Sequence, residues 1–247
     1  MAAAAPYTAA LPSGLVSGCA RRYDVADFAN PVDNFLQAPE SVSWEDCYWA
    51  GNDTRALDWA HASAVSDGGD HYIVSLRNID TVVAFYKADS TIAWTLSSSL
   101  PSSTFAFAAD AQEFYDPHDA QLVSDSELLL LDDGNNRPDC KQPYADNCFT
   151  RAVKYELDFE SYTATIVWQF AFQVELDSDD DAALAAAEAA DVFVYDGGSV
   201  TYDSASGHFF PAFTVTQPGV RYGRYAYVFE VDADQNIVSK IRVPRWF

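Results

Sequence analysis

From about residue 58 onward the chain reads as short strands parted by turns, and the strands come in groups of four. In the first group "HASAV", "HYIVSLR", "TVVAFY" and "TIAWTL" are apolar or alternating, and "NID" and "KADS" part the last three. Runs rich in β-branched and aromatic residues, bounded by Asn, Asp and Ser, are strand and turn signals. The second group is "HDAQLV", "ELLLLDD", "RAVKYELD" and "TATIVWQF", with an insertion before its third strand. The third is "GGSVTYD", "HFFPAFTV", "YAYVFEVD" and "NIVSKIRVP". Laid over one another, the groups place Trp94 and Trp168 alike in their last strands. His61 and His118 fall alike at the openings, four residues before Val65 and Leu122, with Asp196 in that place in the third group.

Four-stranded antiparallel units repeated in series are the signature of β-propeller blades. The expected fold is therefore all-β: four-stranded antiparallel propeller-like blades, with three recognisable units in residues 58–247. Closed propellers have at least about four blades, so an incomplete propeller is expected. Innermost strands line the central channel, which would bring His61 and His118 together. Two segments break the rhythm. Residues 1–57 show no blade and read as an irregular N-terminal segment. The acidic run and Ala/Glu stretch near 176–190 read as a helical insertion between the second and third units.

Charge then narrows the function classes. Asp and Glu number 37 against 14 Lys and Arg, a formal net charge of -23. That balance opposes nucleic acid or an anionic membrane as a partner. It also means that an anionic substrate needs locally placed cations. No apolar run approaches the roughly 20 residues of a membrane-spanning helix, so no transmembrane segment is expected. The first residues lack a basic region and a compact apolar core and make a poor signal peptide, reading as a loose leader or the cut edge of a longer product. Cys19, Cys47, Cys140 and Cys148 show no metal-knuckle spacing, and no metal site is expected. Cys140 and Cys148 bracket "CKQPYADNC", where a disulfide in an oxidising compartment and free thiols in the cytosol both remain open.

The openings of the units gather the chemistry. The first supplies His61, Arg77 and Asn78; the second supplies His118, Asp119, Asn135, Asn136 and Arg137. Two imidazoles and two guanidiniums at one channel make an anion site, because Arg forks onto oxyanions and imidazole serves as nucleophile, acid or base. Each has a structural alternative: Arg77 could pair with Asp80 or Asp58, and Arg137 could face solvent in its turn. Strand alternation sends Asp119 to the face opposite His118, so a backbone carbonyl or Asn136 is expected to orient the ring. His71 and His208 read as structural, and "VDADQN" as a hairpin turn. No Gly-rich phosphate loop or G-x-S-x-G elbow occurs in the sequence.

The ordered combination of "LDWAHASAV", "YIVSLRNIDTVVAF", "TIAWTL", "PHDAQLV", "LLLLDDGNNRP" and "RAVKYELD…VWQF" resembles the arylsulfotransferase (aryl-sulfate sulfotransferase) family over about residues 57–245. The resemblance implies a six-bladed propeller that moves a sulfuryl group between phenols through a sulfohistidine, without 3′-phosphoadenylyl sulfate or another cofactor. It implies that His118, in the "HDA" segment, is the nucleophile. It further implies that His61 of "DW-x-H" and Arg77 of "S-x-R" bind or activate the sulfate oxygens; Asn78, Asn136 and Arg137, gathered at the same openings, are the expected substrate contacts. Where the family carries Asn two residues after the first histidine, this chain has Ser63. The implied partners are a phenolic sulfate donor and a phenol acceptor, with an oligomer as one way to complete the ring, and an extracellular or secretory-type compartment. A binding module built on the same blades, without turnover, is the reading from a different class.

Overall fold

A computed structural model describes residues 60–134, 137–138, 140, 149–172, 194, 197–214 and 225–244. The irregular segment 1–57 and the helical insertion near 176–190 lie outside the described residues. The described part is three antiparallel sheets in chain order. The first blade holds β1 (Ala62–Gly68), β2 (His71–Leu76), β3 (Thr81–Tyr86) and β4 (Ile92–Ser97), in the order β1-β2-β3-β4. A two-residue strand, β5 (Ala106–Phe107), follows. The second blade holds β6 (Pro117–Ser124), β7 (Glu127–Asp132), β8 (Arg151–Asp158) and β9 (Thr163–Phe170), with β5 added parallel to β9. The third holds β10 (Ser199–Asp203), β11 (His208–Phe213), β12 (Tyr225–Val231) and β13 (Ile237–Pro244). Every four-strand group read from the sequence is a blade; β5 is an addition.

The run of four leucines in β7 explains how the blades stack. Successive side chains of a strand point to opposite faces, so Leu128 and Leu130 enter a core with Ile73, Val82, Trp94 and Tyr155. Leu129 and Leu131 enter another with Trp168, Val200, Phe209 and Phe213. All four are fully buried. A strand apolar on both faces belongs to a sheet covered on both sides, and blade two is that sheet. Each leucine side chain contributes about 1.5–3 kcal/mol by leaving water.

The outer pair of each blade carries the same irregularity. Register jumps between Ala84 and Phe85, between Lys154 and Tyr155, and between Glu230 and Val231. The residue passed over is Ala93, Val167 or Val238, and a bulge of this kind sharpens local twist. Trp94 and Trp168 come directly after it and are both 4% exposed, while blade three places Ser239 there.

The inner strands are latched by side chains. β6 packs against β1 and β2 and touches β10. Its pairing with β7 jumps from His118 to Gln121, which leaves the backbone at Asp119 and Ala120 outside the ladder. Ala120 N–H donates to Ser75 Oγ at 2.9 Å, and Ser66 Oγ donates to the Ala120 carbonyl at 2.7 Å. Asp119 Oδ2 accepts the Val200 N–H at 3.0 Å, and Gln121 Nε2 donates to the Val200 carbonyl at 2.7 Å. Gly198 sits at φ +120°, where an added Cβ would lie 2.5 Å from Leu131 Cδ2 and 2.7 Å from the Ala212 carbonyl oxygen, so only glycine fits this approach of blade three to blade two.

Residues 103–108 run along the outer rims. Phe105 N–H donates to the Thr95 carbonyl of β4, and Ala106 and Ala108 donate to Tyr162 and Ala164 of blade two. Ser103 and Thr104 hydroxyls accept the Ser97 and Thr95 N–H groups. The edge of β4 is thereby covered rather than left open to pairing. Helical structure among the described residues is two 3-10 turns, Arg77–Ile79 and Asp110–Gln112. No helix of the described residues is long and apolar enough to cross a membrane.

Candidate functional site

His118 lies in the first turn of β6, flanked by two residues in the left-handed region, Asp116 at φ +53° and Asp119 at φ +52°. Aspartate tolerates that conformation better than most residues. The double reversal sends the His118 ring inward, and the residue is only 6% exposed. Ring Nδ1 is 3.3 Å from the Asp116 carbonyl oxygen and 2.8 Å from Oδ2 of Asp133. A carbonyl can only accept, so Nδ1 carries the ring proton; in the neutral ring the lone pair is then on Nε2.

Asp133 follows β7 directly and is 0% exposed. Its contact with Nδ1 has the length of a charge-assisted hydrogen bond, yet neither carboxyl oxygen receives an aligned one. The carboxyl group thus acts through proximity and charge, off the N–H axis. Burial would depress the His118 pKa and is the largest effect, but the Asp133 contact and charge outweigh it. The net shift is upward, with the Arg77 charge opposing it. Asp133 itself is raised to about 6, chiefly by burial, against the lowering influence of His118 and Arg77; the Asp132 charge adds to the rise.

Blade one supplies the cation. Arg77 and Asn78 open the 3-10 turn after β2, and both are buried. Arg77 N–H donates to the His61 carbonyl at 2.9 Å and Asn78 N–H to the Ala60 carbonyl at 3.1 Å, which ties the two ends of the blade opening together. Arg77 Nη1 donates to Asn78 Oδ1 at 3.1 Å. The guanidinium lies close enough for its charge to act on both His118 and Asp133.

A relay fixes the carbonyl that faces the ring. Asp80, in the left-handed region at φ +48°, accepts the Asp116 N–H at 2.9 Å through Oδ1 and the Ser99 hydroxyl at 2.5 Å through Oδ2. Ser63 Oγ donates to the Pro117 carbonyl at 2.9 Å, on the other side of the same bend. Blade one therefore holds the backbone before His118 at Asp116 and Pro117, and after it at Ala120.

The structure brings His118, Arg77 and Asn78 to one region. His61 is joined to it through the Arg77 backbone and through Ser63 two residues on. Its ring is half-buried and its backbone is at φ +49°. Arg137 is spent elsewhere: Nη2 donates to Asp132 Oδ2 at 2.6 Å, and the guanidinium lies 4.0 Å from the Phe149 ring centroid. Arg151 Nε donates to the same carboxylate oxygen at 2.9 Å. Asp119 tethers blade three through Oδ2, which accepts the Val200 N–H. Asn135, Asn136 and Cys148 lie outside the described residues; Cys140 is disulfide-bonded. The His71 ring lies tilted against Tyr86, and His208 pairs with Glu230 at 2.8 Å. "VDADQN" closes on itself as a turn, Asp232 Oδ1 accepting the Asn236 N–H. Among the described residues no group of three or more His, Cys, Asp or Glu could hold a metal ion.

Sequence reasoning missed Asp133 and Asp80. The signal was present in "LLLLDD": charges ending a strand buried on both faces need partners. A buried imidazole with its proton held at Nδ1, a carboxylate beside it and a guanidinium nearby can perform nucleophilic attack on an anionic centre.

The family model described as Arylsulfotransferase (ASST) matches residues 20–237. No curated protein matches. Among solved structures, a putative 6-phosphogluconolactonase from Bacteroides fragilis aligns at 14% identity and TM-score 0.35, over 73% of this chain and 38% of that one. The β-propeller domain of Myceliophteria thermophila Cps50 (Swd1) aligns at 10% and 0.37, over 74% and 44%. Kuenenia stuttgartiensis hydrazine synthase aligns at 10% and 0.35, over 74% and 49%. The chain spans less than half the length of each.

Proposed function

The chain belongs to the arylsulfotransferase (ASST) family, and from that membership we propose that it transfers a sulfuryl group from a phenolic sulfate to a second phenol, with His118 as nucleophile. The observation that carries this reading is the His118 environment: a buried ring whose Nδ1 faces two acceptors, which assigns the attacking lone pair to Nε2. In the first half-reaction Nε2 bonds to sulfur and the phenolate leaves; in the second, the acceptor phenol takes the sulfuryl group and frees the ring. Splitting the transfer in two lets one nitrogen serve as both nucleophile and leaving group. Arg77 and His61 stabilise the charged sulfate oxygens, where fixed cations are worth most out of water. Asn78 holds the Arg77 fork and shares substrate contact. Arg137 braces the blade through Asp132 rather than meeting substrate. No 3′-phosphoadenylyl sulfate is required.

The test is incubation with p-nitrophenyl sulfate and a phenol acceptor, following nitrophenolate release together with a sulfated histidine by acid-free mass spectrometry. Ping-pong kinetics and a label on His118 are expected. Tight binding of the aryl sulfate with neither release nor label would replace the enzyme by a binding module on the same blades.

A further inference from the structure

We propose that Asp133 is a positioning residue that keeps the Nδ1 proton within the site, so that sulfurylated His118 departs as a neutral imidazole when the acceptor phenol attacks. The inference rests on the reading above that His118 is the nucleophile.

The geometry carries it. Asp133 Oδ2 is 2.8 Å from Nδ1, and the carboxyl group is fully buried behind the ring. Neither carboxyl oxygen receives an aligned hydrogen bond. A permanently ionised carboxylate would be costly in that position, whereas one that shares a proton with its neighbour is not. Its pKa, raised to about 6 mainly by burial, agrees with such sharing. The charged and titratable groups around the pair are Arg77 from blade one, which favours the carboxylate, and Asp132 on β7, which disfavours it. Asp116 meets the ring through its carbonyl, and Asp80 acts on the pair through the Asp116 N–H. Asp119 contributes its charge from the next position on β6.

The chemistry shows what the carboxylate is for. When the Nε2 lone pair forms the N–S bond, the S–O bond breaks and its electron pair leaves on the phenolate. The ring is then a cation carrying both the sulfuryl group and the Nδ1 proton. If the proton escapes to solvent, the product is a neutral sulfonated imidazole whose departure would require expelling an imidazolide anion, and the group is trapped. With the buried Asp133 carboxylate 2.8 Å from Nδ1, the proton is kept in the site by the neighbouring negative charge. Attack by the acceptor then breaks N–S, the electron pair returns to Nε2, and neutral His118 is restored. The acceptor's proton passes through solvent to the first phenolate, which closes the balance.

The test labels the full chain from p-nitrophenyl [35S]sulfate, removes donor and follows discharge to phenol against pH, for wild type and Asp133→Asn. In the variant, discharge near pH 8 should be slower by about 10²- to 10⁴-fold, the range of positioned proton transfer, and should recover as pH falls and solvent supplies the proton. Wild-type discharge should stay nearly level over that range. A merely structural loss would show no recovery in acid. Equal discharge in both proteins overturns the proposal. Should the variant fail to fold, the ¹⁵N shifts of wild-type His118 decide: a neutral ring protonated at Nε2 overturns it, and one protonated at Nδ1 supports it. Absence of label on wild type would defeat the sulfotransfer reading, while the ¹⁵N shifts still report whether the carboxyl group holds that proton.

Discussion

His61 and His118 start from matching places in two repeats and end in different surroundings. His61 is half-buried and acts on its neighbours through its backbone, by accepting the Arg77 N–H. His118 is buried, its ring nitrogen set between a carbonyl and a carboxylate. The difference comes from position in the stack. β6 has β1 and β2 on one side and β10 on the other, so its opening is walled by three strands. A repeat specifies the backbone path of each blade, but the neighbours decide which copy of a side chain is desolvated and paired. That is why the proposed function gives equal sequence positions unequal tasks, nucleophile and anion stabiliser.

The comparison breaks most sharply at the two imidazoles. His118→Asn should abolish transfer and labelling, whereas His61→Asn should lower kcat by about 10²-fold while leaving the label detectable. Equal losses, read in the p-nitrophenyl sulfate assay, would erase the distinction. The arginines come next. Arg77→Ala should cost about 10²-fold in kcat with little change in urea midpoint. Arg137→Ala should leave kcat nearly intact and lower stability by about 1–3 kcal/mol, through the loss of a hydrogen bond to buried Asp132. A reversed pattern in kinetics and urea melts would reassign them.

Smaller effects sharpen the same contrast. Ser63→Ala removes the hydroxyl that spans from blade one to the Pro117 carbonyl and should cost about 1 kcal/mol in urea unfolding. The pH dependence has a definite sign. Because the His118 pKa is raised in the fold, its contribution to stability is complete below about 6.5, the ordinary histidine value, and is lost as pH rises through the higher folded value. The urea midpoint of wild type minus that of His118→Asn should therefore fall between about pH 5.5 and about pH 8.5. An increase with pH for His118 would contradict the carboxylate contact.

The blades were legible because alternation and turn residues act locally. "TVVAFY", "ELLLLDD" and "TATIVWQF" commit to strands whatever packs on them. His118, Arg77 and Asn78 were legible as a group through the repeat. Two side chains depended on how the turns of blade two fold back on its strands and were not. Asp133 stands in the sequence only as the last residue of "ELLLLDD", and only the fold shows that it meets the His118 ring. Arg137 was read as a substrate contact, because its partner Asp132 lies at the end of a strand that looked entirely apolar until its last residue. The expected ring-orienting groups were a backbone carbonyl or Asn136; the Asp116 carbonyl takes that position, joined by a carboxylate the sequence did not single out. β5 escaped notice because its two residues pair in parallel with a strand from the following blade, and no periodicity signals such a pairing.

The segment 103–108 has a mechanical consequence. Its N–H groups hold the outer strand of blade one at Phe105 and that of blade two at Ala106 and Ala108, while the Phe105 ring packs edge-on against Trp94 and Phe159. The first two blades are thus fastened at the rim as well as at the channel. Neither can swing open like a page about its inner strand, and the two should come apart as one cooperative unit. Amide exchange at Phe105, Ala106 and Ala108 should match that of the buried leucines of β7. The strands around His118 would then be kept at fixed spacing by a fastening at the opposite end of the blades.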